Sequence, residues 1–255
     1  MLSPATAMPR QGELVRRPII LASEGAIEPC AHCGMRRVSV CDAIPESGLK
    51  RLVFASVQGV APTGRIFVDE GEPATGFFNI TSGTAKLYKL LPDGRRQITG
   101  FAGPGHFLGL AVSETYAFSA EAIDTVRYCL FPRARLRGLL EEFPALEARL
   151  LADACNELAA AQEQMLLLGQ KTASERLASF LIARSKNGAP CGTPQRRFEL
   201  PMGRGDIAGY LGLTVETVSR TFTRFRNQKL IETPTANVIV ILKPEALDNI
   251  AEANG

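Results

Sequence analysis

Cys30, Cys33 and Cys41 lie within twelve residues in the spacing C-x2-C-x7-C, and the chain holds six cysteines in all. At 255 residues it is long enough to fold without disulfides, so this crowding points to metal or redox chemistry. Thiolates at x2 spacing can bind one centre from a single turn, and a third on a short loop can close over it. Three ligands leave such a site open, so a fourth must come from Cys129, Cys155, Cys191, His32 or His106. Cys129 is the best of these, because it ends a β-type run just before Phe131-Pro132 and so sits on rigid scaffold. Cys155 falls on a helical stretch where a small thiol ordinarily packs, Cys191 sits in a Gly/Pro loop, and His106 reads as a turn or core histidine. A structural zinc site, held by four cysteines or by three and His32, fits the same spacing.

A second chemistry lies in Gly205–Leu230, GDIAGYLGLTVETVSRTFTRFRNQKL. Ile207, Ala208 and Leu211 give a short helix its buried face, Gly212 provides a turn, and Thr214 is placed to N-cap the helix that follows. With Val218 set at zero on that helix, Phe222 falls near 40° and Phe225 near −20°, at about 100° per residue. Ser219, Thr223, Glu216 and Arg220 fall between about 100° and 200°, on the opposite face. That stripe fits a major groove: Arg220 to guanine O6 and N7, Glu216 to a cytosine or adenine amino group, Ser219 to a thymine or its neighbour. Thr217, Thr223 and Arg224 suit phosphates. Any amphipathic surface helix has a polar stripe, but here it coincides with a helix, a glycine turn, a cap and local charge. From Gln195 to Leu230 seven Arg or Lys stand against three acids, a segment charge of +4 that leaves −1 for the rest of a +3 chain. One local face is built to meet a polyanion.

Other elements must position these two sites. From about Leu52 to Pro132 the chain shows short β-type runs, Arg65–Asp69, Gly76–Thr81, Thr84–Leu90, Gln97–Phe101 and Thr125–Phe131. Gly71, Gly83, Gly94 and Gly105 recur at intervals of 12, 11 and 11, which predicts an antiparallel sandwich or roll with a hairpin at Pro92-Asp93-Gly94. Phe143-Pro144 opens a helix. Along it Leu151, Ala154, Leu158, Ala161, Met165 and Leu168 recur at spacings of 3, 4, 3, 4 and 3, an a/d seam. A core helix lying on its own β domain would give a similar stripe. A partner helix from a second copy is preferred, because readers of palindromic duplex use two-fold symmetry. A further helix is expected over Thr172–Ser185, then a loop rich in Gly and Pro through Pro194, then a small α domain closed by a β-type run, Val238–Leu242.

Apolar residues make up 45% and charged residues 22%, which favours neither disorder nor a membrane protein. Arg16-Arg17 precedes only the short apolar run Ile19–Ala22, so residues 1–29 read as a flexible leader and not an export signal. Neither paired catalytic carboxylates, a glycine-rich phosphate loop nor a nucleophile elbow is present, which argues against an iron–sulfur redox enzyme.

Taken together the residues resemble the Crp/Fnr superfamily of bacterial regulators, in its oxygen-sensing FNR-type branch. The resemblance runs from Cys30 to about Leu242 and rests on CAHCGMRRVSVC, on QITGFAGPGHFLG from Gln97 to Gly109, on VRYCLFP around Cys129, and on LGLTVETVSR from Leu211 to Arg220. It implies an α+β chain: a cysteine loop with an antiparallel, cupin-like β-roll sensor over 30–142, a dimerisation helix over 143–170, and a winged helix-turn-helix over 171–248. It implies a 4Fe-4S cluster on Cys30, Cys33, Cys41 and Cys129. Glu216, Ser219 and Arg220 match the family's E-x-x-S-R reading motif, which implies a palindrome of TTGAT-type half-sites. A cytoplasmic homodimer working with RNA polymerase, through the loop Leu90–Arg96, is implied as well. Cyclic-nucleotide binders in the superfamily carry Gly-Glu and then Arg-Ser or Arg-Thr. Here Gly105-His106 and Phe118-Ser119 stand instead, so no cyclic nucleotide is expected. The seven-residue second cysteine interval is longer than in some relatives.

The resemblance further implies a switch in which an intact cluster pins the N-terminal loop near the start of the dimer helix, and oxygen releases it. Ala159-Ala160-Ala161 places no carboxylate at the middle of the seam, so dimerisation is expected to be less strictly gated than a charged seam would make it.

Overall fold

The computed structural model describes residues 30–110, 114–186 and 194–252, together with the backbone of Ile19 and Ile20. In the N-terminal half the chain runs through β1 (Ile19–Ile20), α1 (Leu49–Ala55), β2 (Val57–Ala61), β3 (Ile66–Val68), β4 (Gly76–Ser82), β5 (Ala85–Leu90), β6 (Arg96–Ala102), β7 (Phe107–Leu108), β8 (Ser119–Ala122) and β9 (Val126–Pro132). These strands make two antiparallel sheets, in the orders β1-β2-β9-β4-β7 and β3-β8-β5-β6.

The sheets pack face to face by pairing large side chains with small ones. Phe78, Ile80, Val126 and Tyr128 of the first sheet bury against Ala85, Ala102, Ala120 and Ala122 of the second. Gly71, Gly83, Gly94 and Gly105 all take left-handed φ values, of 84°, 80°, 84° and 90°, at the turns their spacing predicts. The expected antiparallel roll is present.

The other face of the β4–β9 pair is also covered. Phe77 and Phe131 on that face pack with Val40, Cys41, Ile44, Leu49 and Leu52, and with residues of α2 (Arg133–Glu142) and α3 (Pro144–Gln170). α3 has 27 residues and so extends for about 40 Å. Its first two turns bury Leu146 and Leu150 in this layer.

The C-terminal half continues through α4 (Ala173–Lys186), β10 (Arg197–Glu199), α5 (Arg204–Leu211), α6 (Val215–Asn227), β11 (Ile231–Thr235), β12 (Val238–Ile241) and α7 (Pro244–Ala251). Its sheet has the order β10-β12-β11. One core joins Leu177, Leu181, Ile207, Leu211, Phe222 and Ile239 to Tyr88, Ile98 and Phe101 of the roll, so the β5–β6 hairpin belongs to both halves. No helix among the described residues is long and apolar enough to cross a membrane.

Several elements differ from the sequence expectations. Pro144 opens a helix as predicted, but it follows a first helix, α2, which buries Leu136 and Leu139 directly after β9. α1, β2 and β8 were not expected, and Leu52–Ala55 is helical where β structure was read. α7 carries the C-terminal domain to Ala251, past residue 248. Within the proposed leader, Ile19 and Ile20 pair with Val60 and Gly59; the rest of that leader, the loop over 187–193 and Cys191 lie outside the described residues.

Candidate functional site

The reading element forms as its residues dictate. α5 buries Ile207, Ala208 and Leu211, and Gly212 turns the chain at φ 62°, ψ 39°. A side chain there would meet Leu168 Cδ2 at 3.2 Å as well as adopt a strained backbone. Thr214 Oγ1 then accepts from the Thr217 amide at 3.2 Å and starts α6. Val218, Phe222 and Phe225 are 0, 2 and 1% exposed, while Glu216, Ser219, Arg220, Thr223 and Arg224 face solvent together. Thr217 is half-buried, with its hydroxyl 3.0 Å from that of Thr214, so part of its bonding capacity goes to the cap.

Beside this face a notch of about 550 Å³ opens between α6 and the β11–β12 hairpin, lined by Ser219, Thr223, Arg226, Arg204 and the hairpin residues Thr233 to Asn237. Arg204 lies 3.3 Å above the Phe222 ring centroid, and burial followed by repulsion from Arg226 holds its guanidinium below the usual range. Arg226 donates to Thr223 Oγ1 at 2.9 Å. Among the described residues neither arginine forms an ion pair, and two unpaired guanidiniums at a notch select an anion. The sequence reading counted both in its basic segment without giving either a role. Their signal was the charge excess itself.

The thiol site is assembled from two distant segments. The Cys33 amide donates to the Cys30 carbonyl at 3.4 Å and the Arg36 amide to the Cys33 carbonyl at 3.1 Å, a tight turn carrying two sulfurs. Ser39 caps the next turn by accepting from the Cys41 amide at 3.3 Å. Arg36 pins the segment by donating to the Ile44 carbonyl at 2.8 Å. Cys129 arrives on β9, in register with Gln58 of β2 and Asn79 of β4. Cys30, Cys33 and Cys129 line a cavity of about 140 Å³ together with Gln58, Gly59 and Tyr128. Cys41 is buried beside it and accepts from Asn79 Nδ2 at 3.7 Å.

Burial pushes the Cys129 thiol up to about 12 and the Cys30 thiol up to about 11, and the neighbouring sulfurs push further in the same direction. Burial likewise raises Cys41. Burial thus disfavours the thiolates of Cys30, Cys41 and Cys129, and a compensating positive centre would favour them. Among the described residues no group of three or more ligating side chains is drawn tightly enough to hold a metal ion. Of the other possible ligands, Cys155 is exposed on α3, His32 is exposed beside Cys33, and His106 Nδ1 shares a turn with the Gly103 amide at 3.2 Å.

The seam of α3 is open. Leu151, Leu158 and Met165 are 66, 61 and 68% exposed, and Ala154 and Ala161 are exposed with them. A helix lying on its own domain would have buried them, so that alternative ends at Leu150. Leu168 departs from the seam reading, since it is half-buried against the C-terminal core, next to Gly212.

With this geometry in hand, comparison with known proteins places the chain. The family model for a Crp-like helix-turn-helix domain matches residues 175–250, and that for a cyclic nucleotide-binding domain matches residues 60–143. The transcriptional activatory protein AadR of Rhodopseudomonas palustris is 41% identical over 223 residues, covering 87% of this chain and 92% of its own. The nitrogen fixation regulation protein FixK of Bradyrhizobium diazoefficiens is 38% identical over 231 residues, covering 89% and 97%. The solved structure of FixK2 from Bradyrhizobium japonicum superposes with a TM-score of 0.71 at 35% identity, covering 76% of this chain and 96% of that one. The roll, the long helix and the capped reading element are thus the parts of a known architecture, and the chain belongs to the Crp/Fnr family of DNA-binding transcription regulators, which are not enzymes.

Proposed function

We propose that the chain is an oxygen-responsive regulator of anaerobic or microaerobic gene expression, active as a homodimer when Cys30, Cys33, Cys41 and Cys129 hold a 4Fe-4S cluster. The observation that carries this reading is that Cys30 and Cys33 line one cavity with Cys129 of β9, while Cys41 is buried in the layer against which Cys30 and Cys129 pack. A single tetrahedral zinc ion, at about 2.3 Å from each sulfur, needs its thiolates within about 4 Å of one another. A cluster spreads four thiolate ligands over several irons and so admits sulfurs set further apart. When bound, the cluster supplies an oxygen-sensitive bridge between tail and sheet.

The protein's own residues supply the linkage. Cys41 packs in one layer with Leu146 and Leu150 of α3, immediately before the first seam residue, Leu151. Holding Cys41 toward Cys129 therefore holds the base of the seam, and two copies joined along it present two α6 helices to successive major grooves. Glu216, Ser219 and Arg220 are proposed to read TTGAT-type half-sites of a palindrome, while Thr223 and Arg224 contact phosphates. Leu90 and Leu91 stay exposed on the hairpin braced by the 2.8 Å Asp93–Arg95 pair, which is proposed to contact RNA polymerase in the cytoplasm. We propose no cyclic nucleotide in the roll: Ser119 is fully buried, accepting from the Glu70 amide at 3.0 Å.

Iron and acid-labile sulfide counts on oxygen-free protein test the occupant. About four of each per chain, with a visible charge-transfer band, is the expected result. Colourless protein holding one zinc would replace the oxygen-sensing reading with a zinc-bearing regulator of the same fold.

A further inference from the structure

α5 ends in three consecutive carbonyls, Gly209, Tyr210 and Leu211, that the helix cannot satisfy itself. Each accepts from a different element. Gln97 Nε2 on β6 donates to Gly209 at 2.8 Å, Gln164 Nε2 on α3 donates to Tyr210 at 2.9 Å, and Arg176 Nη1 on α4 donates to Leu211 at 2.9 Å. Arg176 also donates to the Leu168 and Lys171 carbonyls at 2.9 and 2.8 Å, at the end of α3.

The other end of α5 is clasped to the roll. Lys86 Nζ lies 3.1 Å from Asp206 Oδ1 and 3.0 Å from Glu121 Oε1, with all three side chains less than a quarter exposed. Asp206 meanwhile accepts from the Gly203 amide at 3.3 Å and caps the helix. Between the two ends, a Cβ on Gly209 would come within 3.3 Å of Ile98, so the contact depends on that glycine. α5 shares one core with α6 and is joined to it through the turn at Gly212. Whatever fixes α5 fixes the reading helix.

We propose that Gln97 and Gln164 are positioning residues that set the angle of the reading domain against the roll and against α3, and thereby the half-site spacing a dimer accepts. This rests on two-copy reading of duplex DNA and not on the occupant of the thiol site. Each glutamine ties one α5 carbonyl to a body whose direction the dimer fixes. With both ties cut, the reading domain samples other angles, and apparent affinity falls by the fraction that remains competent. The looser domain also follows half-sites that have been moved.

The experiment measures binding of full-length protein to a palindrome selected from a random-sequence pool, and to versions with one base pair added or removed between half-sites. One base pair rotates the half-sites by about 34°. Wild type should strongly prefer the selected spacing. Gln97→Glu and Gln164→Glu keep side-chain size while setting a carboxylate against a carbonyl. Each should bind the selected spacing roughly five-fold more weakly, within the usual range for one coupled contact, and should lose much of the preference. Gln97→Leu and Gln164→Leu check the same loss without added charge. A uniform fall on all spacings, an unchanged preference in folded variants, or tighter binding would each overturn the proposal. Wild-type spacing preference tests the two-copy reading, and its change on substitution tests these residues.

Discussion

The side-chain amide of Asn79 donates to Cys41 Sγ at 3.7 Å from a position directly across the β4–β9 ladder from Cys129. Asn79 is 2% exposed, and its Oδ1 has no hydrogen-bond partner. A buried carboxamide left half-satisfied costs stability, and its N–H faces a sulfur proposed to hold the cluster.

Asn79→Leu should therefore separate folding from loading. Removing the orphan oxygen leaves the cluster-free protein at least as stable as wild type, with a gain of up to about 1 kcal/mol in chemical denaturation. Anaerobic iron content should fall and air bleaching should quicken, because hydrogen bonds to the sulfurs tune such centres. Lower apo stability with undiminished iron would contradict this role.

Leu158→Glu should convert a dimer to a monomer with little effect on the fold, since the side chain is 61% exposed and surface changes cost about 0.5 kcal/mol or less. Sedimentation velocity reads the assembly and thermal unfolding reads the fold. The uncharged Ala159-Ala160-Ala161 stretch predicts that wild-type protein stripped of metal keeps a substantial dimer fraction. A clean monomer would count against that.

Leu168→Ala should behave differently from Leu158→Glu. It opens space beside Gly212 in the C-terminal core and should destabilise that domain by about 1–2 kcal/mol, below the cost at a fully buried site. Dimer assembly should be retained.

Arg220→Ala should cost about 1–3 kcal/mol on the best operator and relax the preference at one base pair. Arg226→Ala should weaken all sequences alike and lower the salt slope by about 1, as expected of a phosphate contact at the notch. Binding titrations across a salt series and a set of single-base operator variants distinguish the two.

The reading element was legible because its signals are local. A cap at Thr214, a turn at Gly212 and a strict face of Val218, Phe222 and Phe225 lie within fourteen residues. The roll announced itself through glycines whose left-handed φ the turns require. β8 was silent because its Ser119–Ala122 run has none of the β-branched or aromatic residues that mark strands, its alanines being chosen to fit the opposing aromatic rings. α2 was masked by Pro144, which drew the helix boundary one helix too late.

Within the thiol site, the turn from Cys30 to Cys41 could be read from spacing, whereas Asn79 joins it only through a contact spanning 38 residues of chain. Leu168 kept the seam's period while turning to another core, since a period reports a face and not its partner. Gln97 opens a β-type run and Gln164 lies on the long helix, but neither pattern reveals the α5 carbonyls of Gly209 and Tyr210 that they bind.

Four thiols are proposed to govern whether two copies grip a duplex as one. The most direct measurement is operator affinity of one oxygen-free preparation, with its iron and sulfide counted, before and after exposure to air. About four irons per chain are expected at the start, with a marked loss of affinity as the visible band bleaches, moderated by whatever dimer persists. Iron-free protein that occupies its operator fully, and equally well after air, would contradict it.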